Sequence, residues 1–144
     1  MIQKFAFFAL FATLFASCSL FEEPTASEVL QDKVWKLSLK TENGTAVVLP
    51  TCTADDKFTY SASGSYEHNY GTDKCLADPN TTTGNWSVEN SDQTLKLVTT
   101  ILGISRTSSY TIKSFTSKQV VLSYENTSIG GTTKTIEETY IPVQ

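Results

Sequence analysis

The chain has little of what nucleic-acid binding, metal coordination and catalysis by histidine require. Its 144 residues include one histidine and 11 Lys and Arg against 15 Asp and Glu, and Arg106 is the single arginine. Basic residues that occur singly do not form the clusters that phosphate backbones need, so we expect no nucleic-acid partner. A lone histidine without a recognisable nucleophile motif cannot build a Ser–His–Asp site. We therefore predict that the protein is not an enzyme and needs neither a metal nor another cofactor.

The one long apolar run lies at the N-terminus. It extends from Phe5 to Ala16, Lys4 precedes it, and Cys18 follows it behind small residues. The run is shorter than the roughly 20 residues that a membrane-spanning helix needs. A basic residue, a short apolar run and a cysteine behind small residues are typical of a lipoprotein signal peptide. We predict that residues 1–17 are removed and that palmitate and other lipid at Cys18 anchor the protein to the outer membrane of a cell envelope. Plain secretion is the alternative.

The remaining cysteines fit an exported protein. The chain has three, and if Cys18 carries the lipid, Cys52 and Cys75 remain. In an oxidising compartment this pair favours a disulfide bond, which would contribute on the order of 3 kcal/mol to stability. A zinc site that adds His68 to the two cysteines is the alternative, although the sequence has no C-x-x-C or H-x-x-x-H pair to support it.

Between the signal and the main domain the sequence predicts a short tether. Residues 18–27 contain adjacent acids and a proline and have no apolar face to bury. The acids are compatible with display on either the periplasmic or the outer face of the membrane. Thr25 and Glu28 then have the spacing of a capping box, which predicts a helical turn or two running to about Gln31. We assign residues 28–144 to one domain.

From Val34 onward the apolar residues alternate with polar ones. Trp35, Leu37 and Leu39 form the first alternating set, and Asn43-Gly44 is typical of a type I′ hairpin turn. Similar sets recur to the C-terminus, with no helix-length periodic segment among them. About eight short strands joined by short turns indicate an antiparallel meander, and closure into an up-and-down barrel would hide its edges.

Several spaced residues in this domain carry a family resemblance. They are Trp35, the segment Cys52-Thr53-Ala54-Asp55-Asp56 with Phe58 and Tyr60, Gly64 with Tyr66, Cys75, Gly84-Asn85-Trp86, and Leu95 with Leu97. The pattern resembles the lipocalin-like domain of Bacteroidota lipoproteins and covers nearly all of residues 28–144. The resemblance implies an all-β fold, a single antiparallel eight-stranded barrel with a Cys52–Cys75 disulfide. It implies less about activity, because this fold hosts different functions.

An eight-stranded barrel either holds one small ligand or is filled by its own side chains. Large inward-facing rings with terminal hydroxyls would suit a small hydrophobic or amphipathic molecule. The candidate lining residues are Trp35, Leu37, Phe58, Tyr60, Tyr66, Tyr70, Trp86, Leu97, Tyr110 and Tyr124. The alternative is a filled barrel that acts through its outer surface, as an adhesin-like or envelope-complex subunit.

We expect the few charged residues near these strands to have structural roles. Asp55 and Asp56 are adjacent, so on a strand they would point to opposite faces. We predict that one of them accepts backbone N–H groups at a turn while the other stays in solvent. His68 alternates with neighbouring tyrosines and is predicted to be an ordinary sheet residue. Of the adjacent pair Glu137 and Glu138, we expect one to be solvated.

Overall fold

The computed structural model describes residues 23–76, 78–101 and 103–144. The predicted signal peptide and the predicted lipid site at Cys18 therefore lie outside the described residues, as does the first half of the tether. Within the described ranges, no helix has both the length and the apolar character that crossing a membrane would need.

The described chain consists mostly of strands. Its elements are α1 (Ala26–Leu30), β1 (Val34–Glu42), β2 (Thr45–Val47), a 3-10 turn (Thr51–Thr53), β3 (Lys57–Tyr60), β4 (Ser65–Asn69), β5 (Thr81–Glu89), β6 (Thr94–Ile101), β7 (Ile104–Thr116), β8 (Gln119–Thr127) and β9 (Thr133–Pro142). From β3 to β9 each strand pairs antiparallel with the next, and β1 pairs with both β3 and β9. The sheet has nine strands, but β2 pairs only with the end of β1, so the other eight close the barrel. The predicted eight-stranded up-and-down barrel is confirmed.

The short helix α1 closes one end of this barrel. Its start is fixed by the predicted capping box, in which the Thr25 hydroxyl accepts from the Glu28 N–H while the Glu28 carboxylate accepts from the Thr25 N–H. Val29 and Leu30 are buried against the strands. The indole of Trp35 lies directly beneath the helix, where its Nε1 donates to the Leu30 carbonyl oxygen at 3.0 Å.

A bulge in β1 changes which of its side chains face the interior. The pairing with β9 shifts between Leu37 and Leu39, which leaves Ser38 as an extra residue. Beyond the shift Leu39 is 44% exposed, while Lys40 turns inward and borders the barrel interior. The prediction that Leu39 shares the face of Trp35 and Leu37 is therefore wrong, because period-two alternation does not continue through an extra residue.

The hairpin turns follow the turn residues in the sequence. Asn43 and Gly44 both have positive φ, at 49° and 78°, as the predicted type I′ turn requires. The turn between β5 and β6 is less usual, since Asn90, Ser91 and Asp92 all have positive φ, at 56°, 52° and 65°. Three successive non-glycine residues in the left-handed region place steric strain in this turn.

The barrel interior next to α1 is filled. We call this region the helix half, and it is packed by the largely buried apolar side chains of Val29, Leu30, Trp35, Trp86, Leu95, Ile112 and Val120. The neighbouring strands β5 and β6 also approach closely at Gly84, since a Cβ on this residue would lie 2.2 Å from the Val98 carbonyl oxygen. The opposite end of the barrel, which we call the cavity half, is built differently.

Candidate ligand-binding site

The cavity half contains a partly open cavity of about 360 Å³. This volume is at the low end of the roughly 300–1,000 Å³ found for small-molecule sites. It is bordered by inward-facing strand residues and by the segment before β3, namely Leu37, Lys40, Leu49, Pro50, Thr53, Asp56, Phe58, Tyr60, Tyr66, His68, Leu97, Tyr110, Leu122, Tyr124, Glu138 and Tyr140.

Most of the candidate lining residues predicted from the sequence come together around this cavity. Those that border it are Leu37, Phe58, Tyr60, Tyr66, Leu97, Tyr110 and Tyr124. Three others do not. Trp35 is buried under α1, and the indole Nε1 of Trp86 donates to the Ser61 carbonyl oxygen at 3.0 Å, deep in the helix half. Tyr70 lies behind the cavity wall, with its ring 3.8 Å from that of His68.

An ion pair with two phenolic donors lies in the cavity wall. The Lys40 ammonium is 3.2 Å from Oε1 of Glu138. The hydroxyl of Tyr124 donates to the same oxygen at 3.1 Å, and that of Tyr140 donates to Oε2 at 2.8 Å. Of the two adjacent acids in β9, Glu138 is therefore the inward one, and both of its oxygens have partners.

A second polar pair joins Asp56 to His68. Asp56 is only 6% exposed, and its Oδ2 lies 3.0 Å from Nε2 of His68. The imidazole is stacked between the rings of Phe58 and Tyr70. Burial lowers the pKa of His68 below its ordinary value of 6.5 even though the Asp56 carboxylate raises it. The ring is therefore neutral at pH 7 and donates to Asp56 through Nε2.

The two adjacent aspartates have different roles. Asp55 accepts the Thr72 N–H at 2.7 Å and the Thr72 hydroxyl at 3.0 Å, and these bonds lower the pKa of its carboxyl group. The prediction that one aspartate accepts backbone N–H groups at a turn is therefore right for Asp55. The prediction that the other stays in solvent is wrong, because the turn before β3 directs Asp56 into the barrel, where it meets His68.

The segment that borders one side of the cavity is covalently fixed. Cys52 and Cys75 form a disulfide, as predicted, with their Cα atoms 5.1 Å apart. Because both sulfurs are used in this bond, the alternative zinc site with His68 is ruled out. The disulfide ties the 3-10 turn to the loop between β4 and β5, close to the contact between Asp55 and Thr72.

The tyrosines around the cavity are neutral phenols. Burial raises the pKa of Tyr60, Tyr66, Tyr110 and Tyr140, and the Glu138 carboxylate adds to the shift of Tyr140. At neutral pH these hydroxyls therefore act as hydrogen-bond donors and acceptors, attached to large apolar rings.

Sequence reasoning missed several polar members of the site. The predicted lining does not include Lys40, Asp56, Glu138 or Tyr140. His68 lies in strand β4, as predicted, and borders the cavity as well. The alternation of Ile136, Glu138 and Tyr140 was a signal that would have placed Glu138 inside the barrel. The inward position of Lys40 had no such signal, because it depends on the bulge at Ser38.

The fold and the site together define a small antiparallel β-barrel with a filled floor and a partly polar cavity. A protein-family model described as a lipocalin-like domain matches residues 32–139. The chain therefore belongs to the lipocalin-like domain family. A comparison with curated proteins found no match.

Proposed function

We propose that this protein binds a small hydrophobic or amphipathic molecule in the cavity half of its barrel. The observation that carries this proposal is the cavity of about 360 Å³, which lies between the packed floor and the disulfide-tied segment before β3. A barrel that served only as a scaffold would gain stability by filling this space, as the helix half does.

The cavity walls suit a ligand with both apolar and polar parts. Phe58, Leu97 and Leu122 supply apolar surface, while Tyr110 and Tyr124 add hydroxyl groups at the ends of large rings. Mostly apolar pockets with a few fixed polar groups are the usual sites for small amphipathic molecules.

The proposed role is binding without catalysis. A tyrosine that acts as a general base or nucleophile needs a pKa brought down toward neutral pH. Burial shifts the pKa of Tyr60 and Tyr110 in the opposite direction. This direction supports a binding site, in which neutral phenols orient a ligand.

We further propose that a lipid on Cys18 holds the barrel at the outer membrane of a cell envelope. The chain enters the barrel at α1, so such an anchor would attach at the end opposite the cavity half. Metabolic labelling with palmitate tests this: the full chain should incorporate label, and a Cys18→Ser variant should not. Unlabelled full chain would overturn the anchor and leave the binding proposal in place.

Native mass spectrometry tests ligand binding directly. The barrel purified from its own host should carry a discrete non-covalent adduct that is lost on denaturation. A Leu37→Trp variant is the matched control, because a larger side chain at this cavity-bordering position would occupy the ligand volume. Bare mass for both proteins, or equal adduct on both, would contradict binding in the cavity.

The alternative function, action through the outer surface, has one supporting observation. Exposed aliphatic side chains occur on the strand ends and connections opposite α1, at Leu76, Ile101, Ile104 and Ile129. An adhesin-like or complex-forming subunit would use such positions. Under that alternative a Leu37→Trp variant would keep full function, whereas an Ile104→Ser variant would lose it.

A further inference from the structure

We propose that Lys40 is a ligand-contacting residue of the cavity and that it selects uncharged amphipathic molecules with a carbonyl-type oxygen. This inference rests on the proposed binding function and deepens it by naming the chemical class of the ligand. The apolar body of the ligand would lie among the aromatic and aliphatic walls, and its oxygen would accept a hydrogen bond from the Lys40 ammonium group.

The first observation is the bulge that turns Lys40 into the barrel. The pairing of β1 with β9 shifts between Leu37 and Leu39, and the hydroxyl of Ser38 donates to the Thr139 carbonyl oxygen at 3.0 Å. Without the extra residue, period-two alternation would place Leu39 inside and Lys40 outside. Bulges re-aim side chains and are frequent next to active sites. The bulge therefore puts an amine at an interior position that alternation alone would have given to a leucine.

The second observation is that the Lys40 ammonium group has hydrogens to spare. It lies 3.2 Å from Oε1 of Glu138, and the structure shows no other hydrogen bond or ion pair of this group among the residues that it describes. An ammonium group has three hydrogens and no acceptor, so two hydrogens remain for a ligand. Lys40 borders the cavity and its side chain is 29% exposed, whereas that of Asp56 is 7% exposed. Because the lysine is not sealed into the wall, a ligand in the cavity can reach it.

The carboxylate beside Lys40 is already engaged by other donors. The hydroxyl of Tyr124 donates to Oε1 of Glu138, and that of Tyr140 donates to Oε2. Each phenol has a single hydrogen, so neither tyrosine can donate to a ligand while it holds Glu138. Lys40 keeps donors that its two tyrosine neighbours have used, and the ligand group that matches them is an acceptor.

The charges around the cavity disfavour a charged ligand. Lys40 and Glu138 compensate each other, so a ligand anion would lie beside the Glu138 carboxylate as an uncompensated charge. A ligand cation would find no open carboxylate oxygen, because both oxygens of Glu138 have donors, while Asp56 binds His68 through Oδ2 and its Oδ1 is fully buried. An uncharged carbonyl oxygen accepts from Lys40 and leaves the balance of charge as it is.

Calorimetric titration with three matched probes tests the ligand class on the unmodified barrel. The probes are 4-phenylbutan-2-one, 3-phenylpropionate and 3-phenylpropylamine, which share an aromatic body and are uncharged, anionic and cationic at pH 7. We expect the ketone to bind about tenfold more tightly than either charged probe, or better. Equal or tighter binding of a charged probe would overturn the uncharged class and leave the binding function standing. Failure of all three to bind would overturn both.

Substitution at position 40 tests the donor. The comparison is made in a Glu138→Gln background, so that loss of the ammonium group leaves no carboxylate without its counter-charge. Adding Lys40→Met should weaken ketone binding about tenfold, and it should change binding of butylbenzene, which has no acceptor, by less than about twofold. Lys36→Met in the same background is the control, because Lys36 is exposed on the outer face of β1, and it should leave both affinities unchanged. Equal losses for the two probes, or no loss for the ketone, would overturn the assignment of Lys40.

Infrared spectroscopy of the bound ketone gives a second readout, which does not depend on affinity. A hydrogen bond from an ammonium group weakens the C=O bond, so the carbonyl stretch should lie at lower frequency in the unmodified barrel than in an alkane solvent. The Lys40→Met change should return the stretch toward the alkane value. An alkane-like frequency in the unmodified barrel would overturn the inference, and this measurement decides if the Lys40 variant does not fold.

Discussion

The helix half and the cavity half of the barrel are built from the same strands but have opposite interiors. Near α1 the inward positions carry Trp35, Leu95 and Val120, which are almost completely buried. A few residues further along the same sheet the inward positions carry Lys40 and Glu138, whose ion pair borders the cavity. Barrel geometry decides which side chains face inward, and the residue types at those positions decide whether the interior is packed or left as a site.

The difference indicates that stability and binding are assigned to separate ends. The helix half contains the indole of Trp35 under the Leu30 carbonyl group, so α1 and the first strand are joined there. The cavity half gives up apolar burial for a compensated ion pair and an Asp–His pair. If this division is correct, equivalent substitutions in the two halves will have different consequences.

Truncation of the packed floor should have the largest effect. Trp35→Ala removes a fully buried ring and should lower the free energy of unfolding by about 3–5 kcal/mol in urea denaturation. Tyr110→Ala, at a half-buried position beside an existing cavity, should cost less than about 2 kcal/mol and weaken binding of 2-phenylethanol. Equal destabilisation by the two changes would show that the cavity half is packed like the floor.

Breaking the cavity ion pair should have the next largest effect. Lys40→Met leaves the buried Glu138 carboxylate with only its two tyrosine donors, and it should destabilise the protein by about 1–3 kcal/mol. Adding Glu138→Gln should restore part of this loss, because the uncompensated charge is then removed. The outward Lys36→Met change is the control and should stay within about 0.5 kcal/mol. Additive losses in the double variant would contradict coupling of Lys40 to Glu138.

The buried imidazole predicts a dependence of stability on pH. His68 has a lower pKa in the folded protein than the ordinary value of 6.5, so the unfolded chain binds the proton more readily. Its contribution to stability is fully present above pH 6.5 and is lost as pH falls through the folded-state pKa. Urea midpoints measured from pH 7.5 to pH 5 should therefore fall on the acid side, and the fall should be smaller in His68→Gln. An identical pH profile for the two proteins would contradict a depressed pKa at His68.

The smallest expected effect concerns the strained turn at the floor of the barrel. Ser91 has a φ of 52° between two other residues of positive φ. Ser91→Gly should raise the free energy of unfolding by about 0.5–1 kcal/mol, because glycine adopts this conformation without steric cost. Ser87→Gly in strand β5 should instead lower it by a similar amount. Thermal unfolding of both variants checks the sign, and destabilisation by Ser91→Gly would show that the turn is not strained.

Much of the barrel followed from local sequence signals. Alternation placed Phe58, Tyr60 and Tyr66 on the inner face, and Asn43-Gly44 gave the first turn, because both signals depend only on near neighbours. The level of each side chain along the barrel axis depends on register between distant strands. For that reason Trp35 and Trp86 were expected in the lining but lie in the packed floor, and Lys40, on the far side of a bulge, was not expected inside at all.

The charged part of the site could not be predicted from the sequence for the same reason. Asp56 and His68 are separated along the chain. Nothing in the local sequence indicates that the turn before β3 places the Asp56 carboxylate 3.0 Å from the His68 imidazole. Glu138 also required the pairing of β9 with β1 to bring it to Lys40. Polar sites assembled across strands depend on tertiary register, which residue types alone do not specify.

The claim that the barrel binds small molecules in one half only is tested most directly by NMR. Backbone amide spectra recorded during titration with 2-phenylethanol would report the position of the bound molecule. We expect the shift changes to concentrate at Lys40, His68, Tyr110 and Glu138, with Leu95 and Val120 unaffected. Changes confined to the outer surface around Ile101 and Ile104, or spread through the helix half, would contradict a binding site in the cavity.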